Sequence, residues 1–530
     1  MDERSIKRAL LSVYDKKDVL TFAKGLVDLG VDLLSTGGTA KTLLEKGIKV
    51  KEISSYTGFP ELLDGRVKSL HPKIHAGVLF RRGNIDDERS IEAHGILPID
   101  LVAVNLYPFE ITVKETPNDQ ARIIENIDIG GPALMRAAAK NYVNVAVVVD
   151  PEDYKPILEE LRTHQTSLSS ETRFRLAEKA FRRTAEYDSA IKQYFENLTA
   201  MRHTTEVFPR KVLLEFEKIR DLRYGENPHQ KAAVYKEADA RTCIAEAKIL
   251  GGKKELSYTN ILDTDFAFNL IREFPNQIAT VIVKHANPCG GAIGETLLES
   301  CKRSLQTDPA SAFGGIYAFS REVDHETANL LSDQFVEVTI APGYTDEALK
   351  ILSKRENRRI LDSKELVKTI DSEGFTGKSF RSILGGMLYQ ETDNTLVDEK
   401  RMSVPTKRKP TDEEMKALLF GWKFVKHVRS NAIVLASPTQ LIGVGAGQMS
   451  RIDSCRLAIS KANDVGLRIS GATLASDAFL PFRDTVDQAA KAGVTAIIEP
   501  GGSLRDKEVI EAANEHGMAI VFTGIRHFRH

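Results

Sequence analysis

Residues 9–39 read ALLSVYDKKDVLTFAKGLVDLGVDLLSTGGT. Ala9–Val13 is an apolar strand. Lys17–Leu29 sets Val19, Leu20, Ala23, Leu26 and Val27 at helical spacing and closes on Gly30. Val31–Leu34 is the next strand, and a Gly-Gly turn then leads to a helix at Ala40–Lys46, stopped by Gly47. Strand, helix, strand, helix is the rhythm of a parallel sheet with helices on both faces. The rhythm continues with strands at Ile48–Ile53, Leu101–Asn105 and Val143–Val149 and an Ala-rich helix at Gly131–Lys140.

Farther along, residues 151–200 are charged and helical in pattern. Ala177, Phe181, Ala185, Tyr187, Ile191 and Phe195 give them an apolar spacing suited to packing helices or a connector. A polar junction at 200–212 divides a first domain, 1–200, from a second, 212–530. Strands recur at Thr280–Val283, Gly315–Phe319, Ala432–Ala436, Leu441–Gly445, Thr495–Glu499 and Met518–Thr523. Residues 345–412 are charged and read as a surface excursion or subdomain connector. Residues 471–530 form a βαβαβ pattern, with Pro500–Ser503 turning a strand into a helix.

A chain of 530 residues is long for one core, and ~150 residues per domain suggests about three or four units. The balance of 73 basic against 74 acidic residues argues against a general nucleic-acid or membrane binder, though not against local basic sites. No apolar run reaches the ~18 residues of a membrane span. No signal-like apolar core follows Met1–Arg8. Cys243, Cys289, Cys301 and Cys455 are scattered, with no C-x-x-C pair, which fits a reduced cytoplasmic protein better than a disulfide scaffold or structural zinc site.

Three constellations carry chemistry. The first is Ser35-Thr-Gly-Gly-Thr39, between a strand and a helix. Its amides, hydroxyls and helix N-terminus suit a phosphate, although a well-capped helix needs the same residues. It is not a P-loop, because G-x-x-x-x-G-K-[ST] is absent. Ser12 and Lys16 follow the first strand at the same sheet end, where ligands bind in such folds.

The second begins at Gly65–Gly77, GRVKSLHPKIHAG, which gathers Arg66, Lys68, His71, Lys73 and His75 without a carboxylate. Pro72 disfavours helix at His71, so the run reads as a non-helical cationic loop, either an anion site or a solvated surface. Asn105-Leu-Tyr-Pro-Phe109, Asp128-Ile-Gly-Gly131 and Lys140 reach the same sheet edge. Two lysines, a tyrosine and an aspartate there can polarise a carbonyl and move protons, work typically worth ~10²–10⁴-fold.

The third is Val281-Ile-Val-Lys-His-Ala-Asn-Pro-Cys-Gly-Gly291, where a buried-looking strand delivers Lys284 and His285 into a turn. It invites a zinc-deaminase reading, since those enzymes use H-x-E and P-C-x-x-C. Asn287 stands where the glutamate would be and Ala292 where the second cysteine would be, so catalytic zinc is rejected. Polar strings in the same region are Leu222–His229, Ser430-Asn431, Gly445–Arg451, Ser476–Asp484 and Arg526–His530, and together they suit one large polar site.

These strings, in order from about residue 10 to the C-terminus, resemble the AICAR transformylase/IMP cyclohydrolase family of purine biosynthesis. The matching ones are STGGTA, GRVKSLHP, NLYPF, DIGG, RAAAKN, LRYGENPHQ, VKHANP, APGY, GAGQMSR and SDAFLPFRD. The resemblance implies α/β folds: a methylglyoxal-synthase-like parallel sheet, then a duplicated cytidine-deaminase-like architecture. It implies formyl transfer from 10-formyltetrahydrofolate to AICAR, followed by closure of FAICAR to IMP with loss of water. It also implies a homodimer with transformylase sites at the subunit interface, and a monovalent cation such as potassium.

Carried over by position, Ser12, Lys16, Thr36, Gly38 and Thr39 would cradle the nucleotide phosphate of the cyclohydrolase. Lys68, Tyr107, Asp128 and Lys140 match its catalytic set, with Arg66 and Asn105 beside them. In the transformylase, Lys284 and His285 match the catalytic pair, and Asn431 suits polarising the formyl group. Arg223, Tyr224, Asn260, Arg451, Phe479 and Arg526 match nucleotide-binding positions. Asp484 matches the residue that meets the folate pterin, and His530 a histidine near the substrate and cation site. Arg529 departs from the family form. The rival readings are a purine-nucleotide sensor, which would not need Lys68, Tyr107 and Lys140 together, and a single-activity enzyme with one decayed site, of which neither set shows a sign.

Overall fold

A computed structural model describes residues 4–60, 63, 67, 69–202, 208, 210–238, 240–373, 377–395 and 397–530. The chain divides into Met1–Val212 and Leu213–His530. The length-based expectation of three or four units resolves into two, because the second holds two sheets around a shared core.

In the first unit, β1 (Arg8–Ser12), β2 (Asp32–Ser35), β3 (Lys51–Glu52), β4 (Leu101–Val104) and β5 (Ala146–Val148) pair in the order β3-β2-β1-β4-β5. Every pairing is parallel, and Leu10 lies opposite both Leu34 and Val102. Alternation along β1 serves two layers. Leu10 joins Val102, Val104 and Val147 on one face, while Ala9 and Leu11 join Leu33, Ala103 and Val148 on the other. Of the helices α1 (Val19–Asp28), α2 (Gly37–Glu45), α3 (Pro72–Leu79), α4 (Gly130–Lys140) and α5 (Ser170–Arg202), α1 covers the second face. α4 and α5 cover the first, through Leu134, Ala138, Ala177 and Tyr187. The chain winds outward from β1 to β3, then resumes at β4 on the other side of β1. The crevice beyond the carboxyl ends of β1 and β4 is thus the switch point at which open α/β sheets bind ligands.

Local readings differ in three places. Gly37 and Gly38 are not a turn but the first residues of α2, which starts as soon as the extended Thr36 ends the strand. The expected strand at Ile48–Ile53 shrinks to β3, because Ile53 already opens a short helix, Ile53–Thr57. The basic run is not non-helical throughout. Pro72 takes the first position of α3, where a missing N–H costs nothing, and the His71 ring accepts the Lys73 N–H at 3.1 Å.

The second unit is built twice over. β6 (Lys248–Gly251), β7 (Ile278–Lys284), β8 (Asn287–Gly294), β9 (Ile316–Phe319), β10 (Val338–Ala341) and β11 (Arg359–Asp362) pair as β6-β11-β10-β9-β7-β8. β12 (Ile433–Ala436), β13 (Leu441–Gly445), β14 (Thr473–Ser476), β15 (Ala496–Glu499) and β16 (Ala519–Phe522) pair as β13-β12-β14-β15-β16. In each sheet a bulged antiparallel hairpin, β7–β8 or β12–β13, pairs antiparallel with the next strand, and two parallel strands follow. Even the edge is echoed: β6 runs antiparallel to β11, and Ser403 makes one antiparallel bridge to Phe522.

The helices repeat as well. The first half carries α6 (Tyr258–Ile271), α7 (Leu297–Thr307), α8 (His325–Ser332) and α9 (Asp346–Leu352); the second carries α10 (Asp412–Val425), α11 (Arg451–Asp464), α12 (Asp484–Ala492) and α13 (Asp506–Glu515). α6 and α10, ahead of the hairpins, both open on a capping box, Ser257 with Asn260 and Thr411 with Glu414. One core joins the halves: Val281, Ala318 and Ile340 from the first sheet, Val434, Ala475 and Ile498 from the second, with Phe266 and Phe424.

Of the strands in these two sheets, β6, β8, β10 and β11 escape the sequence reading. β8 contains Asn-Pro-Cys-Gly-Gly, a composition that reads as a turn. Its glycines make room for neighbours, since a Cβ on Gly290 would stand 2.3 Å from the Ser304 carbonyl oxygen and one on Gly291 2.2 Å from the Phe424 ring. β11 sits inside the charged 345–412 stretch, which is therefore partly core. Arg358 disguises it: buried, it donates to the Leu331 and Gln334 carbonyls at 2.7 and 2.8 Å. The surface excursion is the exposed hairpin Lys378–Ile383 with Gly386–Glu391.

Candidate functional site

Among the described residues, each unit carries a cavity that gathers polar side chains. In the first unit a cavity of about 590 Å³ opens over the carboxyl ends of β1 and β4. Ser12, Lys16, Thr36, Gly38 and Thr39 line one side. The Ser12 and Thr36 hydroxyls meet at 3.0 Å, and Lys16 Nζ donates to Thr39 Oγ1 at 3.0 Å while Thr39 donates to the Val13 carbonyl. The cradle is thus pre-tied by its own hydroxyls, at the N-terminus of α2.

On the other side Asn105 Oδ1 accepts the Tyr14 and Asp15 N–H groups, at 2.5 and 3.1 Å, which fixes the loop after β1. Tyr107 packs edge-on against Tyr14, ring centroids 5.6 Å apart. Asp128 Oδ1 accepts the Gly131 N–H at 2.8 Å, and its Oδ2 faces the Tyr107 N–H at 3.4 Å. Lys140 stands apart: it ends α4 exposed, about 15 Å along the helix from Gly130 at 1.5 Å per residue. Arg66 and Lys68 lie outside the described residues.

Tyr187, which the sequence offers only as an apolar packing residue, supports this wall. Its hydroxyl accepts the Asp128 N–H at 2.8 Å and donates to the Asn126 carbonyl at 3.0 Å. Burial is the main cause that pushes its hydroxyl up to about 12, so it stays protonated and can keep both bonds. The apolar spacing along α5 gives no sign of this polar role.

In the second unit a cavity of about 220 Å³ is lined by Lys284, His285, Asn287 and Asp308 of the first half and by Lys461 of the second. Lys284 Nζ donates to the Phe313 carbonyl at 2.6 Å. Asn287 links the halves, its Oδ1 accepting the Arg429 N–H at 3.0 Å. Asn431 follows two residues later, with its amide N–H groups on the Gln448 and Met449 carbonyls at 3.0 and 3.2 Å. Asn431 Oδ1 accepts from Arg451 Nη2 at 2.8 Å. Arg451 is buried and its other nitrogen pairs with Asp477, which has no exposed surface, so Arg451 braces Asn431 from behind.

The remaining predicted positions are spread around this unit. Asn260 is buried in the capping box of α6. Arg223 lies exposed with its guanidinium 5.5 Å from the Tyr224 ring, and Arg526 lies exposed 4.4 Å from the Phe528 ring. Phe479 is partly exposed, and Asp484 opens α12. The carbonyl of His530 accepts from Arg381 at 2.8 Å. Asp308 and Lys461, paired at 2.7 Å, were not singled out from the sequence, because the fold alone brings them together.

Comparison with known proteins gives these cavities a context. A family model described as "AICARFT/IMPCHase bienzyme" matches residues 138–461, and one described as "MGS-like domain" matches residues 18–133. A solved structure titled "Crystal structure of ForH" is 38% identical, over 36% of this chain and 100% of that one, with a TM-score of 0.33. Among the described residues no helix is long and apolar enough to cross a membrane. With more than half of its length matched by the bienzyme model, the chain belongs to the AICARFT/IMPCHase family, whose members transfer a formyl group from 10-formyltetrahydrofolate to AICAR and close the resulting FAICAR to IMP in purine biosynthesis.

Proposed function

We propose that the two activities divide between the two cavities, ring closure in residues 1–200 and formyl transfer in residues 212–530. The observation that carries this reading is that, among the described residues, each unit holds a cavity lined by polar side chains of the matching set. The first offers a hydroxyl-rich cradle facing Asp128 and Tyr107, and the second offers Lys284 beside His285.

Ring closure is intramolecular, so proximity needs little help. The carboxamide nitrogen bonds to the formyl carbon and gives up a proton; the formamido nitrogen gives up a second and forms the C=N bond as the C–O bond breaks, so the former formyl oxygen leaves as water. Asp128, held by the Gly131 N–H, orients the carboxamide. Tyr107, which lines the same cavity, is assigned the proton transfer. Lys68 is assigned to the developing oxyanion by resemblance, and Lys140 joins the set on resemblance alone.

In formyl transfer the 5-amino group of AICAR bonds to the formyl carbon, and the bond to the folate N10 breaks. His285 takes the proton released by the amine, Lys284 stabilises the charge, Asn431 polarises the formyl oxygen by turning one N–H from the Gln448 or Met449 carbonyl, and N10 leaves with a proton. Arg223, Tyr224, Asn260, Phe479, Arg526 and His530 are proposed around the nucleotide and Asp484 at the pterin. The repeated sheets support a deaminase-like scaffold put to other chemistry.

A homodimer in the cytoplasm completes the reading. Exposed Ile383, Leu384 and Leu388 on the 378–391 hairpin are the kind of surface an association covers, and the four cysteines are free. A potassium-like cation finds less support. Near the tail, the Asp477 carboxylate already holds the Arg451 guanidinium and the Ser430 hydroxyl, so no step is routed through a cation.

Lys284→Ala or His285→Ala should abolish formyl transfer while supplied FAICAR is still cyclised. Loss of both activities in a folded variant would overturn the partition.

A further inference from the structure

The hairpin β7–β8 turns through two residues, His285 and Ala286, between the paired Lys284 and Asn287. Both have φ of +53°, in the left-handed region that residues with a Cβ rarely adopt. Two-residue hairpin turns of this kind ordinarily use Asn-Gly or Gly-Gly. Here an exposed histidine and a buried alanine occupy it. Strain of this sort persists only where the surroundings over-determine it.

The surroundings are one carboxylate. Asp263, on α6, accepts the His285 N–H on Oδ2 at 3.1 Å and the Ala286 N–H on Oδ1 at 2.8 Å. Each oxygen takes one of the two amides that the turn leaves free. The second half of the unit serves as an internal control. Its matching turn places Pro438 and Thr439 between Ser437 and Gln440, which are joined by a 2.9 Å backbone bond, and neither residue has positive φ. Counted from the N-caps Ser257 and Thr411, the position of Asp263 is taken by Ala417. The half without the left-handed turn also lacks the carboxylate.

We propose that Asp263 is a positioning residue for formyl transfer, clamping the Lys284–Asn287 turn in the left-handed form that presents His285 to the cavity. It rests on the assignment of Lys284 and His285 as the transformylase pair. Its removal lets the turn relax toward ordinary backbone angles and moves the imidazole. A displacement of about 1 Å at such a site costs on the order of 10²-fold in rate.

The test is steady-state kinetics on the full chain, with FAICAR cyclisation as the check that the protein is intact. Asp263→Ala should lower kcat for formyl transfer about 100-fold, change KM for AICAR less than about 3-fold, and leave cyclisation unchanged. Asp263→Asn, which retains one acceptor oxygen, should lose about 10-fold and covers the case in which the alanine variant aggregates. Adding Ala286→Gly to Asp263→Ala should restore at least about 10-fold, because glycine accepts the left-handed angle unaided. Recovery of kcat by a glycine that relieves only the turn's backbone angle is the response that a positioning role requires. Unchanged kcat in Asp263→Ala, or no recovery with Ala286→Gly, overturns the positioning role. An active His285→Ala would instead overturn the assignment on which it rests.

Discussion

Lys461 and Asp308 meet at 2.7 Å across the two halves of the second unit, each lining the cavity that holds Lys284 and His285. Burial works to raise the Asp308 carboxyl, but the Lys461 ammonium and the Ser311 hydroxyl and N–H hold it below its ordinary value. Lys461→Met leaves that negative charge uncompensated in the cavity to which the proposed function assigns the phosphorylated nucleotide AICAR. KM for AICAR should rise about 10-fold, the size of one unit charge felt at roughly 10 Å through a medium of intermediate dielectric, with kcat changed less. Equal KM values in the variant and the parent would show the pair to be scaffold only.

In the first unit, Gly131 both donates to Asp128 and leaves it space. A Cβ there would stand 2.6 Å from Asp128 Oδ2 and 2.7 Å from Leu106 Cδ2. Gly131→Ala should therefore push the carboxylate off its anchor and cut FAICAR cyclisation by about 10²-fold while formyl transfer continues. Assaying both reactions on one preparation decides it, since a general folding defect would lower both.

Glu499 gives a pH signature. It ends β15 with no exposed surface; Oε2 accepts the Leu480 N–H at 2.5 Å, and Oε1 has no partner among the described residues. Burial, with the charge of Asp506, outweighs that bond and pushes the carboxyl up to about 8 from an ordinary 4.5. Between those values the folded protein keeps a proton that the unfolded chain has released. Stability should thus fall as pH rises from about 4.5 to about 8, and level off above, by an amount on the order of a few kcal/mol. Glu499→Gln removes the titration, so its unfolding midpoint should vary less over pH 5–8 and exceed the parent's at pH 8. Parallel pH profiles would refute this.

Gly445, at the end of β13, is irreplaceable on geometric grounds. A Cβ would lie 1.8 Å from the Ser454 carbonyl oxygen, inside the backbone of α11. Gly445→Ala should cost at least ~1–3 kcal/mol, read as a lower urea midpoint with unchanged slope.

Much of this was legible in the chain because it rests on periodicity. The apolar run Ala9–Val13 and the helical spacing of Lys17–Leu29 lead directly to β1 and α1, which set the parallel sheet and its ligand edge. What stayed hidden depends on space rather than pattern. β8 looks like a turn until Ser304 and Phe424 are seen pressing on its glycines. β11 looks like surface until the Arg358 guanidinium is found among carbonyl oxygens. In the sites, Ser12, Lys16, Thr39 and Asn105 fall where strand ends put them, and Asp128 falls at the glycine pair that opens α4. Tyr187, Asp263, Asp308 and Lys461 act through partners distant in sequence, so only the fold reveals them. Asp263 left one trace, a carboxylate one turn along from Asn260 on the same helix.

The helix α5 bears on how the two activities can be taken apart. Ala177, Ala180, Tyr187 and Tyr194 belong to the first unit's core, and Tyr187 holds the backbone of Asp128. A gene split ahead of Ser170 would therefore yield a fragment that looks complete by its sheet yet lacks the buttress of its reacting wall. Independent expression, or a natural fission of the two enzymes, has to keep this helix with the N-terminal product and break the chain only beyond Arg202.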